Sequence, residues 1–248
     1  MTSLEERARH ELLHGRKLLE GGGPEAAWGW NTAAGRVRAL RRAKLIADAA
    51  GLRNGMRVVE VGCGTGLFTE LFAKYRAQIL AIDISPDLLN IAKQRNLDSG
   101  LVEFREMRFE DSQLEGPFDA IIGSSALHHL DLQLALQTMF KLLRPRGVLA
   151  FAEPNMLNPQ IWGERNMPLA RKASRTSPDE TAIIRWSLAN KLRRVGYVAV
   201  SIRNVDWLHP RTPAPLIRPL SLLGFLLERL PILREFSGSV LIRAERPG

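Results

Sequence analysis

The chain has 248 residues, of which 45% are hydrophobic, and this is enough for one large domain with a buried core. Its single cysteine, Cys63, excludes a disulfide framework, and no apolar run reaches the roughly 18 residues needed to cross a bilayer. The first twenty residues are charged and lack the apolar core of a secretion signal, so we expect a cytoplasmic protein.

The net charge of +9 is unevenly distributed. Residues 58–153 carry a net charge of −4, whereas residues 1–57, 154–195 and 196–248 carry +5, +5 and +3. A basic surface of this kind attracts nucleic acid, an anionic membrane or an anionic substrate. An ordinary solvated surface rich in arginine is an equally good interpretation.

The order of elements predicts an α/β fold. Residues 1–54 have a helical pattern and are predicted to form an amino-terminal helical cap. Beyond them, strand and helix patterns alternate, which indicates a parallel sheet with helices on both faces. The predicted strands are 57–61, 79–84, 102–107, 118–123 and 148–153, and the predicted helices between them are 67–75, 85–96 and 132–143.

The pattern changes after residue 153, where prolines become frequent. We predict an insertion of irregular structure at about 154–177, a helix over 178–195 capped by Ser177, and a strand at 197–205. A second insertion at about 207–237 contains a predicted helix over 221–230, and a final strand covers 239–244.

The strongest motif runs from Glu60 to Gly66 and reads E-V-G-C-G-T-G, directly between a strand and a helix. Its glycines permit a tight turn and the close approach of a ligand, and amides at a helix start accept anionic groups. The spacing differs from the G-x-G-x-x-G of dinucleotide-binding turns. It resembles the first motif of class I S-adenosylmethionine (SAM) methyltransferases. The resemblance implies that SAM is the cofactor and that the turn holds it through Glu60, Gly62, Cys63, Gly64 and Gly66.

Asp83 ends the second predicted strand, 17 residues after Gly66, and Ile84 follows it. An acid at this position accepts hydrogen bonds from ribose hydroxyls. Because SAM and dinucleotides share that ribose, Asp83 and Ile84 indicate a nucleoside cofactor without choosing between them. A helix-capping or surface acid is the structural alternative.

The segment from Phe118 to Leu130 resembles the fourth-strand region of small-molecule and lipid methyltransferases of type 11, where F-D-x-I/V leads to L-H-H. The resemblance implies that the loop after this strand lines the methyl-transfer site, with Ser124 beside the cofactor. It covers residues 55–153 clearly. It further implies a Rossmann-like, doubly wound sheet of seven strands with an antiparallel last pair, in a SAM-binding domain over 55–248.

One position departs from the family. The acid that usually follows the third strand and binds the adenine amino group is replaced by Arg108, which cannot accept a hydrogen bond. Glu110, Asp111 or the backbone of Phe109 is the substitute that we expect.

His128, His129 and Glu153 are the candidate catalytic residues. Histidine titrates near neutrality and suits a general base, although either ring could instead pack within the loop. Adjacent histidines point apart and have no evident third ligand, so no metal site is predicted. Glu153 ends the fifth strand, where it orients a substrate or serves only the structure.

Two further regions have open interpretations. Trp28, Trp30, Arg36 and Arg38 either close over SAM, with an arginine on its carboxylate, or pack between helices. Residues 216–236 are apolar with interspersed arginines, and we rank packing on the core first, a lid second and peripheral membrane contact third.

The predicted function is methyl transfer from SAM to a small-molecule or lipid-like acceptor, driven mainly by proximity and orientation. A nucleic-acid methyltransferase that uses the basic segments, a dinucleotide oxidoreductase and a non-catalytic SAM-binding protein are the alternatives. The attacked atom and the oligomeric state stay open.

Overall fold

A computed structural model describes residues 3–20, 22–110, 113–167 and 183–248. The helices are α1 (Ser3–Leu19), α2 (Pro24–Ala27), α3 (Ala33–Ala50), α4 (Leu67–Ala73), α5 (Pro86–Lys93), α6 (Leu132–Leu142), α7 (Pro159–Asn166), α8 (Arg185–Val195) and α9 (Ile217–Leu227). The strands are β1 (Arg57–Val61), β2 (Gln78–Asp83), β3 (Val102–Glu106), β4 (Phe118–Ser124), β5 (Leu143–Pro154), β6 (Val198–Val205) and β7 (Ser239–Glu245).

The strands form one seven-stranded sheet in the order β3-β2-β1-β4-β5-β7-β6. The first five strands in chain order are parallel, and β7 is antiparallel to both β5 and β6. The predicted doubly wound sheet with an antiparallel end is therefore confirmed. The chain leaves β1 in one direction and returns beside it as β4, and this reversal opens a crevice at the carboxyl ends of these two strands.

Alternate residues along each strand enter two separate hydrophobic cores. Val58 packs with Ile46 of α3 and Phe72 of α4 on one face of the sheet. Val59 packs with Leu136 of α6 and Leu192 of α8 on the other. Because successive side chains of a strand point to opposite faces, the apolar runs of β1 and β4 supply both cores at once.

Several element boundaries differ from the prediction. β5 begins five residues earlier than expected, since the chain stays paired with β4 through a bulge in which Arg146 adopts a positive φ of 61°. α9 begins at Ile217, whereas the predicted helix began at residue 221. Pro219 is tolerated inside it because it falls in the first turn, where no backbone N–H is needed. α7 forms inside the insertion that was predicted to be irregular. The start of the helix predicted over 178–195 and its Ser177 cap lie outside the described residues.

The expectation that residues 216–236 pack on the core is wrong for α9, because Gly224 is its only buried residue. No described helix combines the length and the apolar character needed to span a membrane.

The amino-terminal helices have two different roles. α3 packs on β4, β5 and α4, and its buried side chains belong to the sheet's core. α1 and α2 instead lie over the carboxyl edge of the sheet, where both contribute to the wall of a cavity. The division at residue 54 stays a prediction, but α3 is part of the helical layer of the main fold.

We expect Ile46→Ala to lower the free energy of unfolding by about 2–5 kcal/mol, because Ile46 is fully buried against the sheet. The matched control is Leu40→Ala on the same helix, where 56% of the residue is exposed and the expected loss is below about 0.5 kcal/mol. Urea unfolding of both variants checks the difference, and equal small losses would contradict the core role of α3.

Candidate active site at the carboxyl edge of the sheet

A cavity of about 830 Å³ lies at the carboxyl ends of β1, β2 and β4. Its volume is within the range of roughly 300–1,000 Å³ found for small-molecule sites. The glycine turn, the loop after β4 and the loop after β6 form its walls, together with α1, α2 and α3. The cavity therefore occupies the crevice that the strand order creates.

The glycine turn has the backbone shape that its sequence predicts. Gly62, Gly64 and Gly66 have positive φ values of 69°, 52° and 73°. A Cβ atom on Gly62 would lie 2.7 Å from the Cβ of Ala126, so a side chain there would collide with the loop after β4. One on Gly64 would lie in ordinary van der Waals contact with the Trp28 ring, at 3.5 Å, so glycine is favoured there by its positive φ and not by lack of space.

Asp83 lies at the end of β2 and lines the cavity. Its Oδ2 accepts a hydrogen bond from the Gly64 amide at 2.7 Å, and its Oδ1 accepts one from the Ser85 amide at 2.9 Å. Burial raises the pKa of Asp83, and these two amide bonds oppose that rise. The amides fix the carboxyl group in place, and each oxygen keeps a second lone pair that suits the hydroxyls of a ribose.

An apolar section of the wall follows Asp83 and consists of Ile84, Met107 and Phe109. Glu110 also lines the cavity, but its Oε1 accepts a hydrogen bond from the Asp131 amide at 3.1 Å. Burial raises the pKa of Glu110. Asp111 lies outside the described residues. Of the predicted adenine partners, Phe109 and Glu110 are thus beside the cavity.

His128 and Glu153 form a buried pair beneath the loop after β4. Glu153 Oε1 accepts the amides of Ala126 and Leu127 at 2.9 and 3.0 Å, and its Oε2 lies 2.7 Å from His128 Nδ1. Burial opposes ionisation of Glu153, but the bonds from His128 and the two amides lower its pKa overall. Since an ionised carboxylate only accepts hydrogen bonds, Nδ1–H of His128 donates to it, and Nε2 is the basic nitrogen.

His129 lies beside His128 and connects the loop to α1. Its Nδ1 is 3.0 Å from Glu11 Oε2, and Arg7 donates to the backbone carbonyls of His129 and Leu130 at 3.3 Å. Both histidines line the cavity. The charged residues of α1 thus place this helix over the loop that carries them.

Arg42 is a site residue that the sequence analysis missed. It lines the cavity at 6% exposure and donates to the hydroxyls of Ser239 and, at 2.8 Å, of Ser125. Burial lowers the pKa of Arg42 to about 10. Its position could have been found from the sequence, because it lies on the same helical face as the apolar residues Ala39 and Ile46.

Asp206, directly after β6, was missed as well. It lies 3.9 Å from Arg42 and accepts two hydrogen bonds from Arg38, at 2.9 and 3.0 Å. Both guanidinium groups stack on the Trp30 ring, 5.1 and 5.4 Å from its centroid. Arg36, in contrast, is exposed and bonds the carbonyl of Asn31.

The remaining predicted site residues differ in their access to the cavity. Cys63 and Ser124 line it. Glu60, Gly66 and Glu153 are not among the described residues that form its wall. Glu153 can therefore act on a bound molecule only through the residues it holds, of which His128 and Ala126 line the cavity.

Glu60 is 1% exposed beneath the glycine turn, and its Oε2 has no hydrogen-bond partner among the described residues. Burial raises the pKa of Glu60 to about 8. The neutral form is therefore favoured at neutral pH, because an ionised carboxylate in this place would be poorly solvated.

The raised pKa of Glu60 predicts a pH-dependent stability. The contribution of its protonated form is complete below about pH 4.5 and is lost as the pH rises through about 8. Relative to Glu60→Gln, the wild type should lose a few kcal/mol of unfolding free energy over that range, at about 1.4 kcal/mol per pKa unit. Urea unfolding from pH 5 to 9 measures this. The exposed Glu103→Gln is the control, and a pH-independent difference for Glu60→Gln would refute the interpretation.

The comparisons with known proteins agree with this geometry. Residues 59–151 match the family model described as a methyltransferase domain. The ubiquinone biosynthesis O-methyltransferase of Xanthomonas axonopodis pv. citri is 38% identical over 105 residues, which are 41% of this chain and 44% of that protein. The match thus spans less than half the length of this curated relative.

Solved structures share the fold over most of the chain. A chain of the complex between the Haloferax volcanii Trm112 methyltransferase activator and a methyltransferase has a TM-score of 0.67 at 18% identity, covering 90% of this chain and 96% of that one. The N-methyltransferase NodS of Bradyrhizobium japonicum, in complex with S-adenosylhomocysteine, has a TM-score of 0.58 at 18% identity and covers 88% and 90%. Residues 59–151 therefore match a methyltransferase domain, and they lie inside a fold that most of the chain shares with these solved structures.

Proposed function

We propose that this chain transfers a methyl group from SAM to a hydroxyl oxygen of a small or lipid-like acceptor. The observation that carries the proposal is the buried His128–Glu153 pair, which presents an imidazole base to the cavity that Asp83 also lines. A base of this kind is useful for a hydroxyl group, which must lose its proton as it attacks. The O-methyltransferase relative supports the choice of oxygen.

We assign the cofactor to the wall formed by β1 and β2. Asp83 would accept hydrogen bonds from the ribose hydroxyls, Ile84 and Phe109 would contact the adenine, and Glu110 is the candidate partner of its amino group. The turn from Glu60 to Gly66 holds the methionine part, with Cys63 and Gly64 on its surface and Glu60 beneath. Ser124 faces the cofactor from β4.

The protein contributes a base and a fixed geometry. SAM, when bound, supplies a methyl group on a positively charged sulfur atom. The bond from that methyl carbon to sulfur would break as the acceptor oxygen attacks, and S-adenosylhomocysteine would be the leaving group. Nε2 of His128 would take the hydroxyl proton, and the ionised Glu153 would stabilise the resulting imidazolium through Nδ1. The enclosing wall from α1 and α2 holds the two reactants together, and this proximity is the main source of rate.

Asp83→Ala should weaken the binding of SAM and S-adenosylhomocysteine by about tenfold to a hundredfold, because a hydrogen bond to a charged group contributes roughly 1.5–3 kcal/mol. Isothermal titration calorimetry on folded protein measures the change. Asp48→Ala, which removes an exposed carboxylate paired with Lys44, is the control and should bind normally. If the wild type binds NAD and neither SAM nor its product, the cofactor assignment is wrong.

His128→Gln should lower kcat by about 10²–10⁴ while SAM binding stays unchanged, because the glutamine amide can still donate to Glu153 but cannot act as a base. Transfer of a labelled methyl group from SAM to a panel of phenolic and lipid-like hydroxyl compounds measures kcat. The loss should shrink as the pH approaches the pKa of the acceptor, whose oxygen then needs no base. His10→Gln, outside the described cavity wall, is the control.

Glu153→Gln tests, in the same assay, whether Glu153 positions the His128 ring and sets its tautomer. An amide at this place would donate to Nδ1 and leave the proton on Nε2, so the variant should lose activity to a similar extent and should lose the acid limb of the pH–kcat profile. Activity without any dependence on His128 or Glu153 would rule out the base. Tight SAM binding without transfer to any acceptor would instead favour the non-catalytic alternative.

A further inference from the structure

The segment from Leu216 to Phe236, here called the apolar segment, exposes an unusual amount of hydrophobic surface. Ten of its large apolar side chains are at least 39% exposed. Ile232 reaches 76% and Leu222 reaches 69%. Exposed apolar patches on this scale mark interaction sites more often than ordinary surface.

The segment is folded and attached to the body of the protein in spite of this exposure. α9 approaches the body through Gly224, where a Cβ atom would lie 2.9 Å from the Cβ of Trp207. Further along, Asn204 donates to the carbonyl of Arg234 at 2.8 Å, and Asn155 donates to that of Glu235 at 2.8 Å. The exposed side chains are therefore presented on a fixed scaffold.

Both acidic residues of the apolar segment are turned toward the body. Glu228, whose side chain is 11% exposed, accepts two hydrogen bonds from the Arg41 guanidinium and one from the backbone amide of Asp206. Glu235, at 17%, accepts bonds from Arg185 and Asn204. Neither carboxylate is presented outward beside the apolar side chains.

Two of the three arginines of the segment have the opposite arrangement, whereas Arg234 pairs with Glu235. Arg218 and Arg229 are exposed, and the guanidinium of Arg229 lies over the Phe225 ring at 3.9 Å from its centroid. The outward surface thus combines apolar side chains with positive charge. Such a combination is complementary to the surface of an anionic bilayer, where apolar groups enter the acyl boundary and arginines meet the headgroups.

The segment also adjoins the candidate active site. Trp207, on which α9 rests, lines the cavity, as do the residues that follow it up to Arg211. A surface that docks this segment would lie next to one wall of the cavity. An acceptor dissolved in that surface would then have a short path to the site.

We propose that the apolar segment is a peripheral membrane-docking surface that binds bilayers containing anionic lipids. The occupant is a lipid surface because the exposed side chains are apolar and the exposed charges are basic. Binding requires no methyl transfer, so the proposal stands or falls separately from the reaction.

Co-sedimentation with vesicles tests the proposal on the full chain. The wild type should bind vesicles of phosphatidylcholine with about a third phosphatidylglycerol more tightly than pure phosphatidylcholine. Leu222→Asp and Ile232→Asp should each weaken this binding about tenfold or more, since each prevents an apolar insertion. Arg218→Glu with Arg229→Glu should weaken it by a similar factor at low salt.

Two controls distinguish docking through the apolar segment from nonspecific binding to vesicles. Leu40→Asp changes an exposed leucine of α3, and Arg193→Glu changes an exposed arginine of α8. Both should bind anionic vesicles like the wild type. The proposal is overturned if the wild type binds no vesicles, or if all variants bind equally well. It is also overturned if analytical ultracentrifugation finds a dimer that Leu222→Asp dissociates while vesicles are not bound.

Discussion

The arrangement of the site depends on one buried carboxylate, that of Glu153. An ionised carboxylate is costly to bury unless its lone pairs are satisfied, and here two loop amides and the His128 ring satisfy them. The loop after β4 is therefore held in one shape, in which Ser125 has a positive φ of 57° although it is not a glycine. The same interaction that stabilises the loop selects the tautomer of His128. Structure and proposed chemistry thus share a single constraint.

The sheet supplies a crevice, and the amino-terminal helices convert it into a cavity. Glu25 follows directly after the start of α2 and accepts bonds from the Thr65 hydroxyl, at 3.0 Å, and from Arg95, so α2 is fixed to the glycine turn. On the other side, Arg7 and Glu11 fix α1 to the loop after β4, which carries His128 and His129. These polar contacts fix both helices to the two sides of the cavity.

The acidic and the basic parts of the sequence have different roles in the structure. The acidic middle of the sequence builds the sheet and the proposed cofactor wall, where Asp83 and Glu60 lie. The basic flanks include arginines that are used inward, such as Arg41 and Arg42, and arginines that face outward, such as Arg218 and Arg229. Only arginines that face outward are available to a partner.

The sequence by itself determined the sheet, the glycine turn and the place of Asp83, because these depend on local patterns: strand periodicity, glycine spacing and an acid at a strand end. The sequence also indicated that the loop after β4 lies at the site, but it left the roles of His128 and Glu153 open. Their pairing joins residues 25 positions apart, and only the packing of β5 beside β4 brings them together. Arg42 and Asp206, 164 positions apart, come together only because α3 packs on the sheet near the end of β6. The exposure of α9 was likewise decided in three dimensions, because an apolar helix has the same sequence pattern whether a core or solvent covers it.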